Sequence, residues 1–467
     1  MRGAIAEKFK GKEYFGHPVG LFVLFLTEMW ERFSYYGMRA LLVMYMANYL
    51  LSDPVRAKAI LGYPHLESLL TSMYGALTAQ QMSSQIYGLY TGLVYMTPIL
   101  GGMLADRLLG QYKTVYLGGT LMAIGHFLMA SEQMFLLALI FLIAGNGCFK
   151  PNISTQVGSL YAPGDSRRDG AFTIFYMGVN LGAFLSPLIC GTLGQKVGWH
   201  WGFGAAGVGM IVGLVMYWLG SGLVPQGVNS QLSPADKKAN ANSKTPVSKI
   251  KMTAAEWRAV AVIGILVVFN MVFWAVYEEQ GNVMQLWADQ RTNWNLLGWE
   301  VPSAWFQSLN AAMIFLFAPL LDMFWRRQAS KGAEPSTVSK MGLGCILLGV
   351  GYIVMIFAAR YTPDGGRGSV MWLVGATFLY TIGELYFSPV GLSFVTKVAP
   401  PRLVSTMMGV WMLSMAFGNY GTGVIGMYYE KMSPDKFFLM LTLMGVVTGS
   451  IYFLIKKPIM RAIAKEV

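Results

Sequence analysis

Residues 21–50 read LFVLFLTEMWERFSYYGMRALLVMYMANYL, an apolar run broken at Glu28, Glu31 and Arg32 and again at Arg39. The run is long enough to cross a bilayer, because roughly 20 apolar residues in a helix span the hydrocarbon core. A charged side chain at that depth costs roughly 2.5–3.5 kcal/mol even on insertion scales, so such groups face a bundle interior or a water-filled cavity and mark ion or substrate paths. Four of them on one span specify a membrane protein whose work is done inside the membrane.

The remainder of the 467 residues agrees, with 55% hydrophobic and only 12% charged side chains, against about 25% charged in soluble domains. The long unbroken apolar runs indicate helices, since membrane barrels alternate in units of about ten residues. The basic N-terminal segment lacks a small-residue cleavage site, and the first span is too long for a signal-peptide core, so it is expected to stay in the membrane. The three cysteines, Cys148, Cys190 and Cys345, lie in separate apolar stretches without metal-ligand spacing and read as core packing.

Apolar segments fall near 19–50, 82–105, 114–131, 134–161, 170–190, 201–223, 257–288, 303–325, 341–360, 369–396, 403–428 and 437–456. That makes twelve expected transmembrane helices. Residues 224–256 hold the one long polar break, rich in Ser, Asn, Lys and Pro, as in a solvated linker. The expected organisation is an all-α membrane protein with a six-helix bundle over 1–223, a cytoplasmic linker over 224–256 and a second six-helix bundle over 257–467. Two six-helix halves around a central site resemble the major facilitator architecture. Placing both termini and the linker on one side collects 24 Lys and Arg there and leaves eight opposite. By the positive-inside rule that side is cytoplasmic. The net charge of +12 is then a record of topology, and no nucleic-acid partner is needed to explain it.

The intramembrane ionisable groups are Glu28, Glu31, Arg32 and Arg39 on the first span, Lys150 on the fourth, Glu278 and Glu279 on the seventh and Glu384 on the tenth. Glu28, Glu31 and Arg32 share a helix face, being three and four residues apart. Desolvation and the neighbouring like charge favour a proton on one carboxylate, and Arg32 opposes it. Such a group suits a proton-coupled carrier. The alternative is a structural ion pair locking the first helix to the fourth through Lys150, which would not need a second glutamate.

TEMWERFSYYG over 27–37 resembles the Glu-x-x-Glu-Arg signature of the proton-coupled oligopeptide transporter (POT) family. GGMLADRLLG over 101–110, FTIFYMGVNLGAF over 172–184 and GELYFSPVGLS over 383–393 resemble three further signatures of that family, in order and at matching spans. The resemblance implies symport of di- and tripeptides with protons by alternating access, with protons as coupling ion and no other cofactor. It assigns proton coupling to Glu28, Glu31, Arg32 and Lys150. It gives Arg39 a gate role with a seventh-helix acid, for which spacing from Trp274 favours Glu278 over Glu279. The implied peptide site comprises Arg39 and Lys150 for the carboxylate, Glu384 for the ammonium, and the amides of Asn180 and Asn310. Tyr36, Tyr95, Trp274 and Trp411 match its aromatic walls, and Ser388 matches a hydroxyl one turn after Glu384. Cations can grip a peptide carboxylate, Arg bidentately, and neutral amides can bond either peptide end.

Bland readings stand beside these. Membrane aromatics are commonly interfacial anchors, and membrane asparagines commonly join helices. Some family members carry two extra helices between the halves, and residues 224–256 contain no apolar span for them. The animal members' second-helix histidine corresponds to Gly88 here, and His126 reads as packing, so proton handling falls to the carboxylates. A carrier of this fold for another small anion or zwitterion such as nitrate is the alternative. An enzyme would need a metal cluster or a nucleophile and base within the spans, and the sequence offers neither. The expected setting is a bacterial inner membrane, with the protein as a multi-pass monomer among lipids.

Overall fold

In the computed structural model, residues 7–9, 11–162, 164–226, 252–362 and 365–463 are described. Most of the expected linker, 227–251, lies outside the described residues. Twelve helices of at least 18 residues run through the described chain. They are α1 (Val19–Tyr45), α2 (Ala79–Met96), α3 (Gln111–Leu128), α4 (Phe135–Ser159), α5 (Arg167–Ser186), α6 (Trp199–Leu219), α7 (Ala254–Tyr277), α8 (Phe306–Ala329), α9 (Thr337–Tyr361), α10 (Met371–Val398), α11 (Val404–Gly426) and α12 (Pro434–Ile463). Each of the twelve expected spans overlaps one of them. Among the described residues, nine segments pass as membrane-crossing on length and apolarity alone. The charge-bearing α1 is not one of the nine, because its charged groups lower its hydropathy.

The helices gather into two units. The first comprises Met1–Tyr45, Ser52–Gly75 and Leu93–Ser248, and the second Met46–Leu51, Ala76–Gly92 and Lys249–Val467. In the first, α1 packs along α5 and α6, and α3 along α4 and α6. In the second, α9 packs on α10 and α12, and α7 on α11 and α12. Strands are confined to two-residue ladders, such as the hairpin pairing Glu13–Tyr14 with His17–Pro18.

Close packing rests on small residues, as expected where lipid removes the hydrophobic drive between helices. A Cβ on Gly118 of α3 would lie 2.6 Å from the Gly145 carbonyl of α4. Proline supplies the bends: Pro151 lies inside α4 and Pro389 inside α10, and Pro187 opens a π-helical turn, Pro187–Gly191, directly after α5.

The second span is expected to begin near residue 82, whereas the chain forms short helices at Pro54–Ala59 and Tyr63–Tyr74 and starts α2 at Ala79. The polar run QQMSSQ in the first turns of α2 hid this start. Its members are buried, and several are bonded: Ser83 Oγ donates to the Ala79 carbonyl at 2.6 Å, Gln80 Nε2 to the Gly426 carbonyl at 3.2 Å, and Gln81 Nε2 to the Met427 carbonyl at 3.1 Å. Hydropathy counts these side chains as wet, while packing has enclosed them, the Gln85 amide without a hydrogen-bond partner among the described residues.

Gly182, in the α5 motif, faces α1 so closely that a Cβ would overlap the Met29 carbonyl and lie 3.0 Å from Arg32 Cβ. Neither atom can retreat without moving the charged segment of α1. Gly182→Ala is expected to destabilise the protein by about 1–3 kcal/mol through overpacking, read as a lowered midpoint in thermal unfolding of the detergent-solubilised protein. An unchanged midpoint would refute this contact.

Candidate functional site

In the first unit the structure brings the Glu28, Glu31 and Arg32 side chains together inside α1, all three almost fully buried. The Arg32 guanidinium donates through Nε to Glu31 Oε2, and through Nη2 to Glu31 Oε1 at 2.7 Å. The same Nε lies 3.2 Å from Glu28 Oε1. Two carboxylates thus share one guanidinium, with the bidentate face turned to Glu31.

Asn146, which sequence reasoning missed, completes the set by donating from Nδ2 to Glu31 Oε1 at 3.2 Å. It stands one turn before Lys150 on α4, in the run GNGCFKPN. A neutral amide one turn from a membrane cation was its available signal. Glu31 therefore accepts on both oxygens. Glu28 differs, since its Oε2 is enclosed and accepts no hydrogen bond among the described residues. Lys150 and Arg32 are the cations whose charges act on Glu28.

Lys150 also lies over the Tyr95 ring, with Nζ 4.6 Å from its centroid, a cation–π distance. Tyr36 packs edge-on against Tyr35, ring centroids 5.2 Å apart, and Arg32 covers Tyr35 at 5.2 Å. Arg39 is buried further along α1. Asn180 is buried on α5 and turns its amide back on its own helix, donating to the Tyr176 carbonyl at 3.0 Å. His126 is buried with Nε2 3.0 Å from Ser34 Oγ, and Ser34 Oγ reaches the Glu31 carbonyl at 3.1 Å. It packs behind the cluster, as expected for a structural histidine.

In the second unit Glu384 is the focus. Its Oε2 accepts from Tyr277 OH at 2.6 Å and from Asn310 Nδ2 at 3.0 Å, and Asn310 also donates to Thr381 Oγ1 at 3.0 Å. Asn310 and Glu384, both named at the implied peptide site, thus meet, while Tyr277 and Thr381 were not anticipated. Both are hydrogen-bonding residues set among α7 and α10 acids, Thr381 one turn before Glu384. Ser388, one turn after it, is half-buried.

Trp274 and Trp411 are both buried. Trp274 Nε1 donates to Asn270 Oδ1 at 3.1 Å, and Asn270 Nδ2 to Ser414 Oγ at 2.6 Å. The indole also stands edge-on to Tyr277, ring centroids 5.3 Å apart. A buried indole N–H needs such a partner, so Asn270 holds Trp274 in one orientation.

The paired acids lie where α7 ends, in the tight turn Glu278–Gly281, both buried. Glu279 is tied into its own unit: Oε2 accepts from Asn282 Nδ2 at 3.2 Å, and Asn282 Oδ1 accepts from Ser84 Oγ of α2 at 2.9 Å. Glu279 Oε1 has no partner among the described residues. Glu278 is near enough for its charge to act on Glu384. The two neighbours therefore have different surroundings, Glu279 facing the amide of Asn282 and Glu278 sharing the field of Glu384.

Comparison with known proteins follows from this geometry. The family model described as "POT family" matches residues 112–245 and 225–440. A peptide transporter of Yersinia enterocolitica subsp. palearctica, YePEPT, is 32% identical, covering 97% of this chain and 96% of its own. The di-/tripeptide transporter of Lactococcus lactis subsp. cremoris is 34% identical, covering 96% and 97% respectively. The crystal structure of a peptide transporter POT in complex with sulfate superposes with a TM-score of 0.83 at 33% identity, covering 99% of each chain. With its ordered motifs, its major facilitator fold of twelve helices and relatives alike over nearly its whole length, this multi-pass membrane protein belongs to the POT family.

Proposed function

We propose that this chain is a carrier, not an enzyme, that moves di- and tripeptides into the cell together with protons by alternating access. The observation that carries the reading is the buried α1 cluster, in which two carboxylates compete for Arg32 and only one is fully satisfied. Glu31 is committed on both oxygens, to Arg32 and Asn146. Glu28 keeps an enclosed oxygen without a partner. An unmade hydrogen bond at a buried charged oxygen is costly, and a proton on that oxygen removes the charge without breaking an existing bond. Glu28 is therefore the proton carrier and Glu31 its fixed counterpart, a division the sequence left open.

The remaining residues take roles suited to a ligand with charged ends. Arg39 and Lys150 receive the carboxylate, the latter over Tyr95. Glu384 receives the ammonium, since both of its hydrogen bonds fall on Oε2 and leave Oε1 for the ligand. Asn180 and Asn310 bond the peptide unit or its ends. Tyr36, Tyr95, Trp274 and Trp411 form walls tolerant of varied side chains, and Ser388 adds a hydroxyl. Glu278 is the gate acid on α7. A carrier of nitrate would have no use for an acid held by a phenol and an amide. Relatives named as di-/tripeptide transporters point the same way. The setting is a bacterial inner membrane, with a monomer in lipid and both termini and the 224–256 linker on the cytoplasmic face.

Proteoliposomes given an inward proton gradient are expected to accumulate labelled dialanine, with unlabelled tripeptide competing. No gradient-dependent uptake, or competition by nitrate but not by tripeptide, would refute the peptide reading. Glu28→Gln mimics the protonated side chain and is expected to abolish gradient-driven accumulation while dialanine exchange without a gradient persists. Glu31→Gln removes the partner of a buried guanidinium, which costs about 3–5 kcal/mol when a buried pair is broken, and is expected to depress both assays. Equal behaviour of the two variants would contradict the division of roles.

A further inference from the structure

A cleft of about 520 Å³ opens in the first unit beyond the groups discussed so far, lined by Ser154, Thr155, Gly158 and Ser159 of α4, Tyr161 of the following turn, and Arg168 and Phe172 of α5. Its size suits a small-molecule ligand, for which cavities run about 300–1,000 Å³. Its walls continue the surfaces that bear two of the candidate peptide contacts. On α4, Lys150, Ser154 and Gly158 follow one another at four-residue steps, and on α5 so do Asn180, Tyr176, Phe172 and Arg168. Such residues form a continuous ridge along a helix. At 1.5 Å per residue the cleft begins one turn from Lys150 and ends about 18 Å from Asn180.

Its two adjacent arginines are in opposite situations. Arg167 is consumed by the N-terminal hairpin and its own turn, bonding Glu13 Oε1 at 2.9 Å, the Gly16 carbonyl at 3.1 Å and Asp165 Oδ2 at 2.8 Å. Those bonds to Arg167 hold the Asp165 carboxyl below the usual carboxylate range. Tyr161 is held in place by His17, whose Nδ1 is 2.8 Å from its hydroxyl. Arg168, by contrast, lies against Gly158, where a Cβ would come within 2.9 Å of Nη2. It makes no salt bridge among the described residues, whereas Arg167 engages Glu13 and Asp165.

The hydroxyls complete the pattern. Ser154, Thr155 and Ser159 each donate to the carbonyl four residues back, at 3.1, 2.8 and 2.9 Å. Their protons are used and their oxygens remain as acceptors. The cleft therefore presents a guanidinium for an anion and a row of acceptors for N–H donors. An inorganic anion, bearing acceptors alone, matches only the first half. A short peptide matches both.

We propose that this cleft is a release-side station of the transport path, in which Arg168 receives the peptide carboxylate once it has left Lys150 and the serine and threonine oxygens receive its N–H groups. The proposal rests on the peptide reading and on the cytoplasmic placement of the N-terminal side. A Cβ at Gly158 would crowd the flexible end of Arg168, so a side chain there is expected to shift the guanidinium within the cleft.

The test compares dialanine exchange in inside-out and right-side-out membrane vesicles carrying the wild type, R168Q or R168K. The quantity read is the ratio of half-saturation at the cytoplasmic face to that at the outer face. R168Q is expected to raise this ratio about fivefold or more, and R168K to restore most of it. An unchanged ratio, or an equal loss with R168K, overturns the proposal. An R168Q effect that disappears when the protein is reconstituted without anionic lipid also overturns it, because the cleft would then be holding an anionic lipid headgroup. Wild-type vesicles that exchange no dialanine at either face would overturn the peptide reading itself, and this proposal with it.

Discussion

The arrangement depends on the cost of holding charge where water is scarce. Two glutamates and one arginine on a single buried turn of α1 cannot all be satisfied by one another. The bidentate geometry of a guanidinium suits one carboxylate at a time, and here it faces Glu31, with Asn146 added from α4. Glu28 is left with a weaker hold and an enclosed bare oxygen. On the proposed reading that inequality makes the cluster a switch, because a proton and a competing cation would act on the two carboxylates to different degrees. α5 is held against this turn by Gly182, so the motif that positions Asn180 also fixes the helix that bears the charges.

The second unit solves the same problem differently. Glu384 is surrounded by neutral donors, a phenol and an amide, and no cation among the described residues pairs with it. Its hydrogen bonds among the described residues thus come from neutral donors alone. Trp274 is fixed beside it through Asn270 and Tyr277. On the proposed reading, the carboxylates and cation of the first unit handle protons, and the carboxylate of the second unit, held by neutral groups, handles an ammonium.

Much of this was legible from residue types, and the reasons for the remainder are specific. The twelve spans could be read because apolar runs are long, and Glu28, Glu31 and Arg32 stood out because charge in such a run is expensive. Glu384, Asn310, Lys150 and Tyr95 were named by the family resemblance, and that Glu384 meets Asn310 and Lys150 meets Tyr95 is visible only in the structure. Asn146, Asn270, Tyr277 and Thr381 were missed because a neutral polar side chain in a membrane helix has many uses, and only its partner identifies which. The start of α2 was misplaced because hydropathy cannot see that Gln80, Gln81 and Ser84 are bonded inside the unit. Arg168 carried no sequence signal at all: beside Arg167 it reads as one more positive residue of the basic side, and only the bonds of Arg167 to Glu13 and Asp165 set the two apart.

The central claim, that peptide and proton cross together because Glu28 alternates between charged and neutral forms, is tested most directly by following protons rather than peptide. In proteoliposomes enclosing a pH-sensitive dye, with membrane potential clamped at zero and no initial pH difference, external dialanine should acidify the lumen in the wild type and leave it unchanged with Glu28→Gln. Peptide entry without acidification in the wild type, or undiminished acidification in the variant, would contradict the account.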